Sequence, residues 1–393
     1  MTRPRRVLIV GAGLAGARCA ETLRAGGFDG EVVIAGAEPV PPYERPALSK
    51  EHLAGDRDAE ALELRPRSFW DDAGIELLLG SRVVGFDLGA RTGTTERGAQ
   101  LRWDALVLAT GSAPRRLPGW DGPGVHVLRT LADAAELGRE LRPGSRLAVV
   151  GAGFVGTEVA STAHSLGAEV TLVDLAAVPL ERILGAEVGA ALASRYRDEG
   201  VHLRLGAGVE RLERGADGRP SRLVLADGSE VPADAVLVAV GVSPEVDGLP
   251  GARDGSIATD ACGRTEVPGV YAAGDVAGTW HPLLGRRLRV EHWTSAAGQG
   301  AAVAHALLGE EKPFAALPYF WSDQFGLRLQ YVGHAESWST VELAGEPGSF
   351  VARYLDARGE PEAALSVNRP GEVGRLRTEL AAAAEHRARR LAA

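Results

Sequence analysis

The pattern GxGxxG occurs twice, as GAGLAG at 11–16 and as GAGFVG at 151–156. Each copy follows an apolar run of β character, VLIV at 7–10 and LAVV at 147–150, and each leads into an alanine- and glutamate-bearing stretch of helical spacing. Strand, glycine turn and helix in that order separate a dinucleotide-binding site from a chance glycine string. The first glycine of each copy, Gly11 or Gly151, permits the tight turn. The second, Gly13 or Gly153, lets backbone approach a pyrophosphate, and the third, Gly16 or Gly156, lets helix lie close on strand. Phosphates then rest on the helix N-terminus, which brings Leu14 and Ala15 to one cofactor and Phe154 and Val155 to the other. One such string among 51 glycines says little, but two in matching context, offset by 140 residues, imply a duplicated βαβ unit and two nucleotide cofactors.

A chain of 393 residues exceeds what one hydrophobic core supports, and two or three domains are expected. No apolar run approaches the roughly 20 residues of a membrane span. The run after MTRPRR ends in the first glycine turn, so it reads as a core strand rather than a signal peptide, and a cytoplasmic protein away from membranes is expected. The only cysteines are Cys19 and Cys262, so neither a disulfide framework, a metal cluster nor a CxxC is present. Without a reactive cysteine pair the chain cannot pass electrons to a protein disulfide. The net charge of −9 argues against nucleic acid as a partner.

A ribose-binding carboxylate belongs just past the second strand of each unit. In the first unit the strand at 32–34 runs into Ala37 and Glu38; Glu38 is the candidate, Ala37 offers only backbone, and Glu38 also reads as a solvated turn residue. In the second unit VTLV at 170–173 ends in Asp174, 23 residues beyond Gly151, followed by the uncharged LAAV. A 2′-phosphate there meets a carboxylate with no arginine beside it, and a clash of only ~1.4 kcal/mol is tenfold in affinity. NADH is therefore favoured over NADPH.

Two further apolar strands, LVLATG at 106–111 and AVLVAVG at 235–241, end in glycine and are followed by Pro114 and Pro244. Beyond residue 312 the texture changes: FWSDQFGLRLQYVG and the segment 349–355 alternate apolar and polar as in an antiparallel sheet, and the tail from Arg375 has helical spacing. Past Glu379 the Ala/Arg-rich end reads as a solvated helix.

These glycine motifs, with PPYERPALSK at 41–50, LATGSAPRRLPG at 108–119, LRTLADA at 128–134, YAAGDVA at 271–277, RVEHWTSAAGQG at 289–300 and FWSDQ at 320–324, resemble the FAD-dependent NADH:ferredoxin reductases of oxygenase electron-transfer chains, the putidaredoxin, rhodocoxin and rubredoxin reductase type. The resemblance covers nearly the whole chain, and ERPxLSK and FWSDQ are its most specific parts. It implies an α/β fold of glutathione-reductase type with two Rossmann-like domains. An FAD domain, split over 1–110 and 236–312, would hold an inserted NAD domain at 111–235, and a small α+β domain would occupy 313–393. The chain departs from the pattern at Ala47, Glu245, Ser295 and Gly298.

The same resemblance implies roles for single residues. Arg45, Val83, Thr110, Gly111, Arg129, Gly274, Glu291 and His292 would contact FAD, and Asp275 would hold its ribityl chain. Lys50 would set its ammonium near flavin N5 and O4, where a cation stabilises the charge of the reduced ring; Pro41, Pro42 and Pro46 stiffen its loop. Trp293 heads a helix whose amides would face the pyrimidine edge. Glu158 would meet the nicotinamide, Arg182 the adenosine side of NAD, and Gly241 would form a hinge. Trp321 would lie at the flavin's outer edge, on the exit route. The implied activity is electron transfer from NADH through FAD to a ferredoxin or rubredoxin that feeds an oxygenase such as a cytochrome P450. The alternatives are an NADH oxidase and a redox-sensing protein like apoptosis-inducing factor. Because ferredoxins are usually acidic, Arg65, Arg67, Arg286, Arg287 and Arg289 are expected to give a local positive docking patch despite the overall charge.

Overall fold

Five strands assemble into a parallel sheet in the order Val270–Ala272, Ala105–Leu108, Arg6–Val10, Glu31–Ala35, Ile75–Leu78, its centre buried on both faces and its edge strand Ile75–Leu78 buried only at Ile75. The arrangement comes from a computed structural model that describes residues 4–253 and 255–392. A second parallel sheet repeats the plan with His202–Leu205, Glu169–Asp174, Arg146–Val150, Ala235–Val238 and Val125–His126. Its strands all lie between residues 125 and 238, inside the sequence gap that separates strand 105–108 of the first sheet from strand 270–272. The second unit is thus inserted in the first. The two crossing segments, Ser112–Pro114 and Val242–Pro244, pair as a short antiparallel ladder, which ties the entry and exit of the insertion together.

Both fingerprint helices, Leu14–Ala25 and Phe154–Ser165, begin at a glycine cap with no side-chain hydrogen bond, so their first amides remain open to a ligand. The third glycines cannot be replaced: a Cβ on Gly16 would stand 2.2 Å from the Gly11 carbonyl oxygen, and one on Gly156 2.0 Å from that of Gly151. The helix Trp293–Leu307 crosses the first fingerprint helix just as closely, since a Cβ on Gly300 would fall 2.2 Å from the Ala15 carbonyl oxygen. Gly300→Ala is therefore expected to destabilise the fold by about 2 kcal/mol, the overpacking cost outweighing alanine's better helix propensity. Urea unfolding should show the midpoint falling at constant slope; an unchanged midpoint would mean that the two helices can separate freely.

The C-terminal domain is a five-stranded antiparallel sheet in the order Tyr319–Gln324, Leu327–Gly333, Pro361–Val367, Ser349–Leu355, Thr340–Glu346. One face shares a core with the inserted unit, where Phe320, Leu329, Tyr331 and Tyr354 join Val159, Leu184 and Tyr196. The other face is covered by the helix Val373–Ala392 through Leu376, Leu380 and Ala384. The tail is not the solvated helix expected from its composition. Arg353 bonds Glu379 at 2.8 Å, Arg390 bonds Glu360 at 2.6 Å, and Arg387 bonds Glu362, so its charges are paired along a buried apolar stripe. Among the described residues no helix is long and apolar enough to cross a membrane.

Candidate functional site: a cofactor cavity at the junction of three domains

A cavity of about 550 Å³ opens where the first unit, the inserted unit and the C-terminal sheet meet. Its floor is the first glycine turn. Gly11 has φ +117° and a Cβ there would lie 2.0 Å from the Ala109 carbonyl oxygen, whereas Gly13 has nothing within 4 Å on its cavity side. Backbone is packed tightly below the turn and left open above it, beside uncapped amides, as a pyrophosphate requires. Leu14, Ala15, Ala37 and Glu38 line the same end. Glu38 is not a solvated turn residue: Oε1 accepts from Arg45 Nη2 at 2.6 Å and Oε2 from the Tyr43 hydroxyl at 2.8 Å. Arg45 also donates to the Arg129 carbonyl at 2.6 Å, closing that wall.

Farther along, Asp275 Oδ2 accepts from Ser112 Oγ at 2.6 Å and from Arg129 Nη2 at 2.8 Å. Gly274 and Gly111 line the wall in left-handed conformations with φ +81° and +78°, and Thr110 donates to the Glu245 carbonyl at 2.8 Å. The Trp293 helix points its uncapped N-terminus here, with His292 as its first flanking residue. The His292 ring lies 5.0 Å from that of Phe320, and burial, reinforced by the neighbouring His334, pushes its pKa down to about 4. It is neutral near pH 7, so the positive potential at this end comes from the helix amides. Glu291 lines the rim and pairs with Arg289 at 2.5 Å. Val83, the first residue of strand Val83–Asp87, packs half-buried against the sheet core, and Arg82, just before that strand, lines the cavity in its place.

At the centre, Lys50 Nζ lies 2.7 Å from Glu158 Oε2, with the two side chains only 12% and 7% exposed. Ser49 Oγ donates to the same oxygen at 2.5 Å, and Ser322 Oγ donates to Oε1 at 2.6 Å. One carboxylate from the inserted unit thus joins the Lys50 loop to the C-terminal sheet. Neither serine was among the residues singled out from sequence, although each is adjacent to one that was. The cavity is closed on the second-fingerprint side by Phe154, whose ring meets Phe320 edge-on at 4.6 Å, while Val155 stays 40% exposed. At the outer edge Trp321 meets Trp293 edge-on at 6.1 Å and stacks with Tyr319 at 6.2 Å.

The second glycine turn lies beside this cavity rather than in it. Gly153 again has nothing within 4 Å, and Gly151 has φ +111°. Asp174 accepts from the Ala152 amide at 2.5 Å and from the Ala176 amide at 2.7 Å, which fixes its carboxylate against the turn. Arg182 is exposed in the short helical turn that precedes the kink at Gly185 within Glu181–Asp198, and Gly241 sits at the paired crossing.

The expected arginine patch does not form. Arg286 pairs with Glu336 at 2.7 Å, Arg289 with Glu291, Arg65 with Glu21 at 3.1 Å and Arg67 with Glu63 at 3.4 Å. Arg287 donates to the carbonyls of Thr259 and Gly278, both at 2.7 Å. Local carboxylates cancel most of that charge, and none of the five lines the cavity. A cation instead approaches from the C-terminal helix, where Arg377 lies 4.3 Å over the Tyr319 ring, one ring removed from Trp321. Cys19 faces the core of the first fingerprint helix, and burial pushes its thiol far up; Cys262 is likewise buried and free. No cluster of metal ligands occurs among the described residues.

Residues 5–300 match the family described as pyridine nucleotide-disulphide oxidoreductase, and residues 319–393 match the reductase C-terminal domain. The chain is 40% identical to the ferredoxin–NAD(+) reductase component of the anthranilate 1,2-dioxygenase system of Burkholderia cepacia, covering 96% of this chain and 94% of the relative. It is 36% identical to rhodocoxin reductase of Rhodococcus erythropolis, over 88% and 82% of the two chains. Among solved structures, the reductase of the covalent putidaredoxin reductase–putidaredoxin complex superposes with a TM-score of 0.93 at 34% identity, covering 96% of this chain and 93% of that one.

Proposed function

We propose, for a chain that belongs to the pyridine nucleotide-disulphide oxidoreductase family, that it carries electrons from NADH through FAD to a small iron–sulfur ferredoxin, which supplies an oxygenase such as a cytochrome P450. The observation that carries this reading is the buried Lys50–Glu158 pair at the mouth of the second unit, in a cavity whose far wall ends at the half-buried Trp321. FAD, when bound, takes up an electron pair as hydride and returns electrons singly. The chain does the rest. Gly11, Gly13 and the helix they start cradle the pyrophosphate; Glu38, with backbone at Ala37, holds the adenosine ribose; Asp275, oriented by Arg129 and Ser112, holds the ribityl chain. Lys50 and the Trp293 helix amides supply positive potential where reduction adds negative charge. Asp174 takes the ribose of NADH and Arg182 the adenosine side, while Phe154 and Phe320 exclude water between the two cofactors.

The disulfide chemistry in the family's name has no agent here, since both cysteines are buried, free and away from the cavity. Cys19 is equally out of reach for an oxidase that reduces peroxide at the flavin. Two unpaired cysteines also fit our placement of the protein in the cytoplasm.

Trp321 provides the test of the exit route. Trp321→Ala is expected to lower ferredoxin reduction about tenfold while ferricyanide, a small acceptor that needs no docking surface, is reduced at close to the parent rate. Equal loss with both acceptors would assign Trp321 to packing alone.

A further inference from the structure

Two buried polar residues, Tyr196 and Gln324, lie behind the Lys50–Glu158 pair and have no part in the cofactor contacts above. The Tyr196 hydroxyl donates to Gln324 Oε1 at 2.5 Å, Gln324 Nε2 donates to Ser322 Oγ at 3.0 Å, and Ser322 Oγ donates to Glu158 Oε1 at 2.6 Å. Whole-residue exposure along this chain is 0% at Tyr196, 3% at Gln324, 0% at Ser322 and 6% at Glu158. Ser322 and Gln324 share the inward face of strand Tyr319–Gln324 because they are two residues apart. Around them that face is apolar, with Phe320, Leu329 and Tyr331 in the shared core. Polar groups buried in such a setting are costly unless every one is satisfied.

The direction of the chain follows from its end. A carboxylate can only accept, so Ser322 gives Glu158 its single hydroxyl proton and must itself accept from the amide of Gln324. That turns the Gln324 carbonyl oxygen to Tyr196, which must donate. Burial pushes the Tyr196 phenol well above its ordinary range, so the hydroxyl keeps its proton across working pH. Every donor in the series points toward Glu158. The carboxylate is thereby divided: Oε1 belongs to the chain from the C-terminal sheet, and Oε2 to Ser49 and Lys50.

We infer that the Tyr196–Gln324–Ser322 chain is a positioning device that fixes the Glu158 carboxylate and, through it, the place where the Lys50 ammonium stands beside the flavin. The C-terminal domain then serves the hydride-accepting centre as well as the exit route. The inference rests on the reading that flavin occupies the cavity at Lys50. Its residues act through Glu158, so their effects must vanish when Glu158 can no longer hold the lysine.

The experiment uses the FAD-loaded protein with Ser322→Ala, Gln324→Leu and the volume-conserving Tyr196→Phe, each alone and combined with Glu158→Gln. Flavin reduction by NADH in single turnover, the flavin midpoint potential and the melting temperature are read for each. Ser322→Ala is expected to slow reduction about tenfold and to lower the potential, in the direction expected of Lys50→Met, with Tyr196→Phe giving a smaller change of the same sign. In the Glu158→Gln background none of the three should add a further shift. A lowered melting temperature with rate and potential unchanged, or effects that add in full to those of Glu158→Gln, would overturn the inference. If wild-type protein binds FAD and is reduced by NADH in such a case, only the positioning chain fails; if the wild type is not reduced, the proposed function fails and the inference with it.

Discussion

Replacing Lys50 with methionine is expected to slow reduction of the bound flavin by NADH about 100-fold, the usual consequence of removing one preorganised group that stabilises developing charge. Methionine keeps the length and apolar bulk of the side chain, so the change is chiefly the loss of a cation. It strands the Glu158 carboxylate, 7% exposed, with only serine hydroxyls as partners. Breaking a buried pair from one side costs about 3 kcal/mol, so the melting temperature should fall as well. With Lys50 beside the flavin as proposed, the midpoint potential should drop, because the reduced ring would lose a positive charge, while FAD would stay bound through the glycine turn and Asp275 on other elements. The decay of flavin absorbance in stopped flow measures the rate. An unchanged single-turnover rate would leave Lys50 a structural residue.

The second large effect concerns the coenzyme. kcat/KM is expected to favour NADH over NADPH by at least about tenfold, since a 2′-phosphate would stand against the Asp174 carboxylate and each ~1.4 kcal/mol of clash is one factor of ten. Two backbone amides hold that carboxylate against the second glycine turn, so it cannot swing aside without leaving both unsatisfied. Asp174→Ala should narrow the preference, both by relieving the clash with a 2′-phosphate and by removing the carboxylate proposed to take the NADH ribose. Equal use of the two coenzymes by the parent protein would contradict the assignment of Asp174.

Much of this was legible in the sequence because steric demands are local. Only glycine fits where the turn at Gly11 meets Ala109, and the acid at 174 follows its turn at a spacing fixed by one helix and one strand. The alternation of Tyr319–Gln324 likewise announced a sheet. What escaped notice depends on partners distant in sequence. Glu158 binds Ser49 and Ser322, 109 and 164 residues away, and nothing near any of the three signals the others. The arginine cluster misled partly for the same reason, since the carboxylate that pairs with Arg286 sits at Glu336 on another domain, although Glu63 and Glu291 lie within four residues of Arg67 and Arg289 and were readable beside them. The C-terminal helix is different. Leu376, Leu380 and Ala384 recur at intervals of four, a buried stripe that was readable beneath an Ala/Arg-rich composition.

Electron delivery to a ferredoxin is tested most directly by cytochrome c reduction with NADH, measured with and without an added ferredoxin from a dioxygenase or P450 system. Cytochrome c accepts single electrons, so it reports their delivery. The rate is expected to be low with the protein and NADH alone and to rise at least about tenfold, saturably, as ferredoxin is added. A rate indifferent to ferredoxin, with NADH instead consumed at the expense of oxygen, would contradict it and identify an oxidase.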